Sequence, residues 1–271
     1  MNIHKSKIDW CTHTWNPVTG CRHDCEYCYA RRFIDRFGPK PDEWPDDAVE
    51  AIRDATDYMD IYVSGRPARL NNPDGSYKRS TGYPRGFAPT LHAYTLDYPE
   101  KRLTPADIFV TSMGDLFGEW VPDEWIERVF TACEKAPQHT YMFLTKNPTR
   151  YGQLHYAGKL PQRPNMWYGS TAATEERPIF RLEGYKTFIS IEPILGPFSA
   201  LEEGRDIADL IIVGAMTGPT AKRDAPRREW ITALKETCER QHIPLFMKGS
   251  LEKLMGSDFI QQYPAEMKAR V

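Results

Sequence analysis

Apolar and polar positions along the chain follow two rhythms: short runs of β-branched and aromatic residues recur, and most precede a stretch with helical spacing. Residues 108–113 (Ile-Phe-Val-Thr-Ser-Met) read as a buried strand and 121–133 as the helix after it, with Pro122 and two acids in its first turn. The next strands are expected at 140–145, 166–171, 187–191, 210–214 and 244–247, with one more around 11–16. Further helices are expected near 148–154, from about 175, and near 227–240. Near-continuous apolar strands alternating with helices predict an α/β fold whose parallel sheet is buried on both faces. Six or seven such units fit a partial (β/α)6-type TIM barrel with an inserted basic loop. A doubly wound open sheet is the alternative, since periodicity does not give strand order. Either architecture puts a ligand site at the carboxyl ends of the strands.

The rhythm breaks over 39–98. Residues 46–59 have the spacing of a helix, whereas 64–89, rich in Gly, Pro, Asn and Arg, read as a long inserted loop. That loop holds Arg66, Arg69, Lys78, Arg79 and Arg85 against one acid, Asp74, a local charge of +4. The whole chain carries 35 Lys and Arg against 37 Asp and Glu, so −6 is left for everything outside the loop. Tyr77, Tyr83 and Phe87 interleave with the cations, which suits a polyanion with exposed bases; a solvated loop is the plain alternative. Lys222, Arg223, Arg227 and Arg228 form a second basic group on the expected site face. No global basic field exists. No apolar run approaches the ~18 residues of a membrane span, and the amino-terminal segment lacks the apolar stretch of a secretory signal.

The six cysteines are unevenly placed. Cys133 and Cys238 fall at apolar helical positions and read as core thiols. Cys21, Cys25 and Cys28 have the spacing C-x3-C-x2-C on a loop after the first expected strand. Three thiolates so placed can each take one iron of a [4Fe–4S] cluster, leaving the fourth iron open to a ligand. A zinc site is the alternative, with Cys11, His13 or His23 as the fourth ligand.

At these residues the chain resembles the radical SAM superfamily, whose signature is this spacing with an aromatic residue before the third cysteine, here Tyr27. It looks more closely like a phage-associated branch related to spore photoproduct lyase. The similar segments are 15–21, 27–30, Ser112-Met-Gly-Asp-Leu-Phe117, Phe143-Leu-Thr-Lys146 and Ser190-Ile-Glu-Pro193. One departure is Ala215-Met216, where that branch carries a Gly-Glu pair. The resemblance implies a single radical SAM domain over 1–271, with a cluster loop near 20–30, an insertion near 39–98 and a carboxyl-terminal extension near 217–271.

The resemblance also implies S-adenosylmethionine (SAM) as cosubstrate, its cleavage giving a 5′-deoxyadenosyl radical. Ser112 and Asp115 would meet the SAM amine, although an acid at Asp115 also suits a helix start. Lys146 would pair with the carboxylate, or be a surface lysine. Ser170 and Thr171 would bond the ribose or carboxylate, or else cap a following helix. Tyr27 and Met216 would pack on adenine; core packing serves Met216 equally. Glu192 is expected to act in the site, because a carboxylate between an apolar strand and Pro193 is expensive to bury unused. Cys11 is either core or a hydrogen-relay thiol, and Tyr29 and Tyr141 are weaker relay candidates.

Three functions follow. The first is rearrangement of a modified thymine in phage DNA, an isomerase of thymidine hypermodification. The second is a lyase repairing a thymine lesion, and the third is a non-enzymatic iron–sulfur or zinc DNA-binding module. An exposed cluster implies a reducing cytoplasm and a flavodoxin- or ferredoxin-type electron donor.

Overall fold

The computed structural model describes residues 3–45, 49–57, 59–198, 207–218 and 220–267. The chain forms two compact units, one from residues up to 5 together with 13–139, the other from 6–12 together with 140 onward.

In the first unit, β1 (His4–Lys5) pairs antiparallel with β2 (His13–Trp15), and β2 runs parallel to β9 (Asp107–Val110). All four β9 residues are buried, as a strand covered on both faces requires. A second sheet is ordered β3 (Val18–Thr19), β8 (Thr90–His92), β5 (Asp60–Ser64), β4 (Glu50–Arg53). Helices α1 (Tyr29–Phe37), α2 (Tyr98–Lys101) and α3 (Asp123–Glu134) complete the unit. Helix α1 buries Ala30 and Ile34, one turn apart, against Phe87, and it stops at Gly38 where Pro39 cannot continue it.

Two expectations for the insertion are corrected. The described part of 46–59 holds strand β4 rather than a helix; residues 46–48 and 58 lie outside the described residues. Helical spacing misled because β4 is a mostly exposed edge strand that writes no apolar run, and its antiparallel pairing with β5 decides it: Ala51 pairs with Tyr62 and Arg53 with Asp60. The 64–89 segment is not one loop, since β6 (Ala68–Asn71) and β7 (Tyr77–Thr81) form an antiparallel hairpin. Its turn is fixed by the Asp74 carboxylate, which accepts from the Ser76 amide (2.9 Å) and hydroxyl (2.6 Å), and by Gly75 at φ +82°. Pro-Asp-Gly marked a turn between two strands, and the alternating Ala68-Arg-Leu-Asn71 was the strand before it.

In the second unit, β10 (Thr140–Thr145), β11 (Met166–Thr171), β12 (Lys186–Ile191), β13 (Ile211–Val213) and β14 (Leu245–Met247) form a parallel sheet in chain order. The parallel sheet of the expected α/β fold is present, with these five strands in chain order. Among the described residues no closed barrel is formed. Helices α4 (Thr149–Tyr156), α5 (Arg228–Gln241) and α6 (Glu252–Met255) accompany it. From α5, Ile231, Leu234 and Cys238 enter a core with Ile189, Val213 and Leu245; full burial of each such aliphatic side chain stabilises the unit by about 1.5–3 kcal/mol. The helix expected from about 175 is absent: residues 172–185 are turns and irregular chain. Cys133 and Cys238 are buried on α3 and α5. Among the described residues no helix is long and apolar enough to cross a membrane.

Candidate functional site

The cysteine loop of the first unit is held by backbone contact. Where β2 ends, the Asn16 side-chain oxygen accepts from the Met113 amide (2.9 Å) and the Ser112 hydroxyl (3.2 Å), tying the loop after β9 to β2. The Gly20 amide donates to the Met113 carbonyl at 2.9 Å, and Gly20 and Gly114 form an isolated parallel bridge. A Cβ on Gly114 would lie 2.7 Å from the Gly20 oxygen, and one on Gly20 would lie 2.5 Å from the Ala88 carbonyl carbon. Only two glycines let these chains approach so closely. Between Asn16 and Gly114, Thr111 adopts φ +62° with its hydroxyl buried and unbonded. Positive φ is a real outlier for a β-branched residue, and such strain collects at functional sites.

This frame sets the thiols beside an acid. Cys21 and Cys28 pack on the Ala30–Ile34–Phe87 cluster with Met113. Cys28 caps α1, its sulfur accepting from the Arg31 amide at 3.4 Å, while the Cys21 sulfur accepts from the His23 amide at 3.5 Å. Burial pushes the Cys21 thiol up to about 12, and the nearby Asp115 carboxylate and the Cys25 and Cys28 thiols push the same way. Asp115 is buried; its Oδ2 pairs with His23 Nε2 at 2.7 Å and its Oδ1 accepts from the Phe117 amide at 3.0 Å. His23 in turn packs edge-on against Trp120, 5.0 Å between centroids. Asp115 precedes α3 by eight residues and is not an acid of its first turn. Sequence offered His23 only as a possible zinc ligand, not as the partner of Asp115, and did not single out Asn16 or Thr111. Their roles come from partners about ninety residues away, and only the excess of polar residues around the motif hinted at them.

Among the described residues, no three His, Cys, Asp or Glu side chains converge on one point as ligands of a single ion. A cubane spreads three thiolates over three irons and needs no such convergence. The chemistry of the donor set suits such a cluster: three thiols share one loop, and the Cys28 sulfur accepts from an amide of a helix start. A buried thiol raised this far releases its proton to a metal that ligates it. Tyr27 is half-buried on the same loop, and the Tyr29 hydroxyl donates to the Ser112 carbonyl at 2.5 Å.

In the second unit the remaining candidates sit at strand ends. Glu192, past β12, is bound on both oxygens: Lys248 Nζ lies 2.6 Å from Oε1 and the Ser190 hydroxyl donates to Oε2 at 2.9 Å. Lys248 follows β14 and was missed because its partner lies 56 residues earlier. Gly214 leaves room for the pair, a Cβ there lying 3.0 Å from both side chains. Met216 is buried past β13, and Lys146 is half-buried past β10. Ser170 is buried at the end of β11, where its Oγ accepts from the Phe180 amide at 2.8 Å, and Thr171 is half-buried. With no helix following β11, the capping role for both is corrected. Cys11 precedes β2, so it lies before that strand rather than at its carboxyl end; its sulfur donates to the Ser6 hydroxyl at 3.3 Å. Tyr141, near the start of β10, is fully buried.

Several predicted nucleic-acid contacts already have partners. Arg85 donates to the Pro45 carbonyl at 2.7 Å and stacks on Trp44 and Tyr62, so it braces the insertion. Lys78 pairs with Glu43, Arg79 donates to the Phe37 carbonyl at 3.1 Å, and Arg69 lies 5.0 Å over Tyr77, all on the exposed hairpin. Arg66 is exposed just before it. In the second basic group, Arg223 pairs with Asp224, Arg228 with Asp258, and Arg227 lies over Trp230.

No curated protein matches the chain. Solved structures of spore photoproduct lyase are similar over 97% of this chain and 79% of theirs. A double mutant with bound AdoMet and dinucleoside spore photoproduct superposes with a TM-score of 0.49 at 12% identity. The complex with the dinucleoside spore photoproduct gives 0.48 at 12%. Likeness at this level is compatible with many activities. A family profile matches residues 5–255, and the chain belongs to that family, described as protein of unknown function (DUF5131).

Proposed function

We propose that this chain is a radical SAM enzyme acting on a nucleobase, with Cys21, Cys25 and Cys28 as the ligands of a [4Fe–4S] cluster. The observation that carries the reading is the C-x3-C-x2-C loop locked, through Gly20 and Gly114, against a loop bearing a strained Thr111 and a buried Asp115. Cluster and SAM, when bound, supply a 5′-deoxyadenosyl radical that removes a hydrogen atom from substrate. The chain's own residues then have separate tasks. Asp115, oriented by His23 and the Phe117 amide, is the acceptor for the SAM ammonium. Ser112 and Tyr27 line the same loops. At strand ends of the second unit, Lys146 offers a counter-charge for a carboxylate, Ser170 and Thr171 offer hydroxyls for a ribose or carboxylate, and Met216 offers an apolar face for adenine. Glu192, held on both oxygens by Lys248 and Ser190, is the carboxylate that acts on the substrate. The basic hairpin with Arg69, Tyr77, Lys78 and Arg79 meets DNA, the substrate is a modified thymine that is rearranged, and a flavodoxin-type protein supplies the electron.

The test uses oligonucleotides deuterated at the thymine methyl or its substituent. Deuterium is expected in 5′-deoxyadenosine when modified thymine is present. Cleavage of SAM with no deuterium transfer from modified or damaged thymines contradicts the thymine assignment. A product with a restored thymine pair in place of a rearranged base makes the enzyme a repair lyase.

A further inference from the structure

Four of the exposed large apolar side chains of the described residues lie along one stretch of the first unit: Tyr29, Phe33 and Phe37 on α1, and Tyr77 on β7, each about half exposed. The helical three stand at i, i+4 and i+8, one stripe of α1 that runs beside the buried Ala30 and Ile34. Scattered exposed rings need no explanation, but a contiguous row does. Phe33 and Phe37 are 5.2 Å apart between centroids. The row connects to the hairpin, because Arg79 donates to the Phe37 carbonyl. At its other end Tyr29 is tied to the Ser112 carbonyl, on the loop that carries Asp115.

Cations sit on these rings. Arg36 lies 5.1 Å from the Phe37 centroid and Arg69 5.0 Å from that of Tyr77. Residues 29–40 hold Arg31, Arg32, Arg36 and Lys40 against Asp35 alone. Nearby Glu43 is already paired with Lys78. Alternating rings and guanidinium groups suit a strand that offers base faces and phosphates in turn. Spacing narrows the choice further. Successive ring positions on one helix face rise by about 6 Å, nearly twice the about 3.4 Å per nucleotide of duplex DNA. The row matches an extended, unpaired strand.

We infer that the Tyr29–Phe33–Phe37 face of α1, continued by Arg79 and Tyr77 of the hairpin, is a stacking track for single-stranded DNA leading to the cysteine loop. The inference deepens the proposed function and rests on its nucleic-acid substrate. It makes the substrate an unpaired strand rather than an intact duplex.

The test measures anisotropy of the full chain with labelled oligothymidylate, the same strand annealed to oligoadenylate, and an abasic strand of equal length. Oligothymidylate should bind more tightly than the other two. Phe33→Ala with Phe37→Ala should weaken it at least about fivefold per ring, with abasic affinity changed less than about twofold, and Phe33→Tyr with Phe37→Tyr should restore binding. Equal affinity of the alanine variant and the parent overturns the track, as does an equal loss for the abasic strand, or duplex binding as tight as single strand. Loss of binding only to a reduced flavodoxin, with oligothymidylate affinity intact, assigns the face to a protein partner and likewise overturns it. SAM cleavage by the unaltered protein with dithionite and no DNA is run in parallel. Cleavage with a failed track sinks this inference alone, and absent cleavage sinks the radical SAM reading whatever the oligonucleotides do.

Discussion

The cysteine loop of the first unit and the Glu192–Lys248 corner of the second both lie past strand ends, yet they are held by different forces. In the loop, backbone contacts dominate: the Gly20–Met113 hydrogen bond, the Gly20–Gly114 bridge, the Asn16 side chain spanning two amino-acid neighbours, and a left-handed Thr111. In the corner, side chains dominate, with one carboxylate shared by an ammonium and a hydroxyl. The first arrangement is rigid and intolerant of added atoms. The second tolerates isosteric change and depends on charge. Under the proposed function, a loop that takes a cluster without moving its cysteines is served by the first kind of construction, and a carboxylate that acts on a substrate by the second.

This contrast breaks most sharply at the cysteines. Cys21→Ala, Cys25→Ala or Cys28→Ala should each bring 5′-deoxyadenosine formation to background, measured by chromatography after anaerobic reconstitution; retained turnover in any of them removes that residue from the ligand set. Next in size is Gly114→Ala. Its Cβ would meet the Gly20 oxygen at 2.7 Å, so a loss of about 2–3 kcal/mol in denaturant unfolding is expected, with reduced iron retention. Unchanged stability and iron content would mean that the backbone clamp is soft.

A third test separates buried chemistry in the first unit from the acids that titrate everywhere. Burial holds His92 down to about 3, with Thr19 Oγ1 2.9 Å from its Nε2. Its folded value is below the unfolded one, about 6.5, so the unfolded chain takes up the proton first as pH falls. Stability from the neutral ring is complete above about pH 6.5 and is lost between there and about 3. At pH 5 the loss is about 2 kcal/mol. His92→Gln should flatten the pH dependence of the unfolding midpoint by that amount, and parallel curves for the two proteins would contradict it. The smallest expected effect is at the corner. Glu192→Gln, Lys248→Met and the double variant should show a coupling of about 1 kcal/mol, because both side chains keep partial solvent contact. No coupling would leave Glu192 free of Lys248's influence.

Legibility in the sequence followed the range of the contacts. The parallel strands at 140–145, 166–171 and 187–191 were readable because burial on both faces writes a continuous apolar run. The cysteine spacing was readable because Cys21, Cys25 and Cys28 lie in one short segment. The strands of the insertion were not, for another reason: β4 is a mostly exposed edge strand, and the exposed β6–β7 hairpin has the polar composition of a loop. Ser170 looked like a cap, but no helix follows it and it bonds Phe180. The roles of His23, offered only as a zinc ligand, and of Lys248 were hidden for one shared reason: each is explained by a carboxylate far away in sequence, Asp115 or Glu192.

The central claim is that the three-cysteine loop carries a SAM-cleaving cluster. Its most direct test is 5′-deoxyadenosine formation by the anaerobically reconstituted full chain with dithionite and SAM, together with metal and sulfide analysis. The account predicts about four irons and four sulfides per chain and reductive release of 5′-deoxyadenosine. A protein that returns zinc and cleaves no SAM would contradict it.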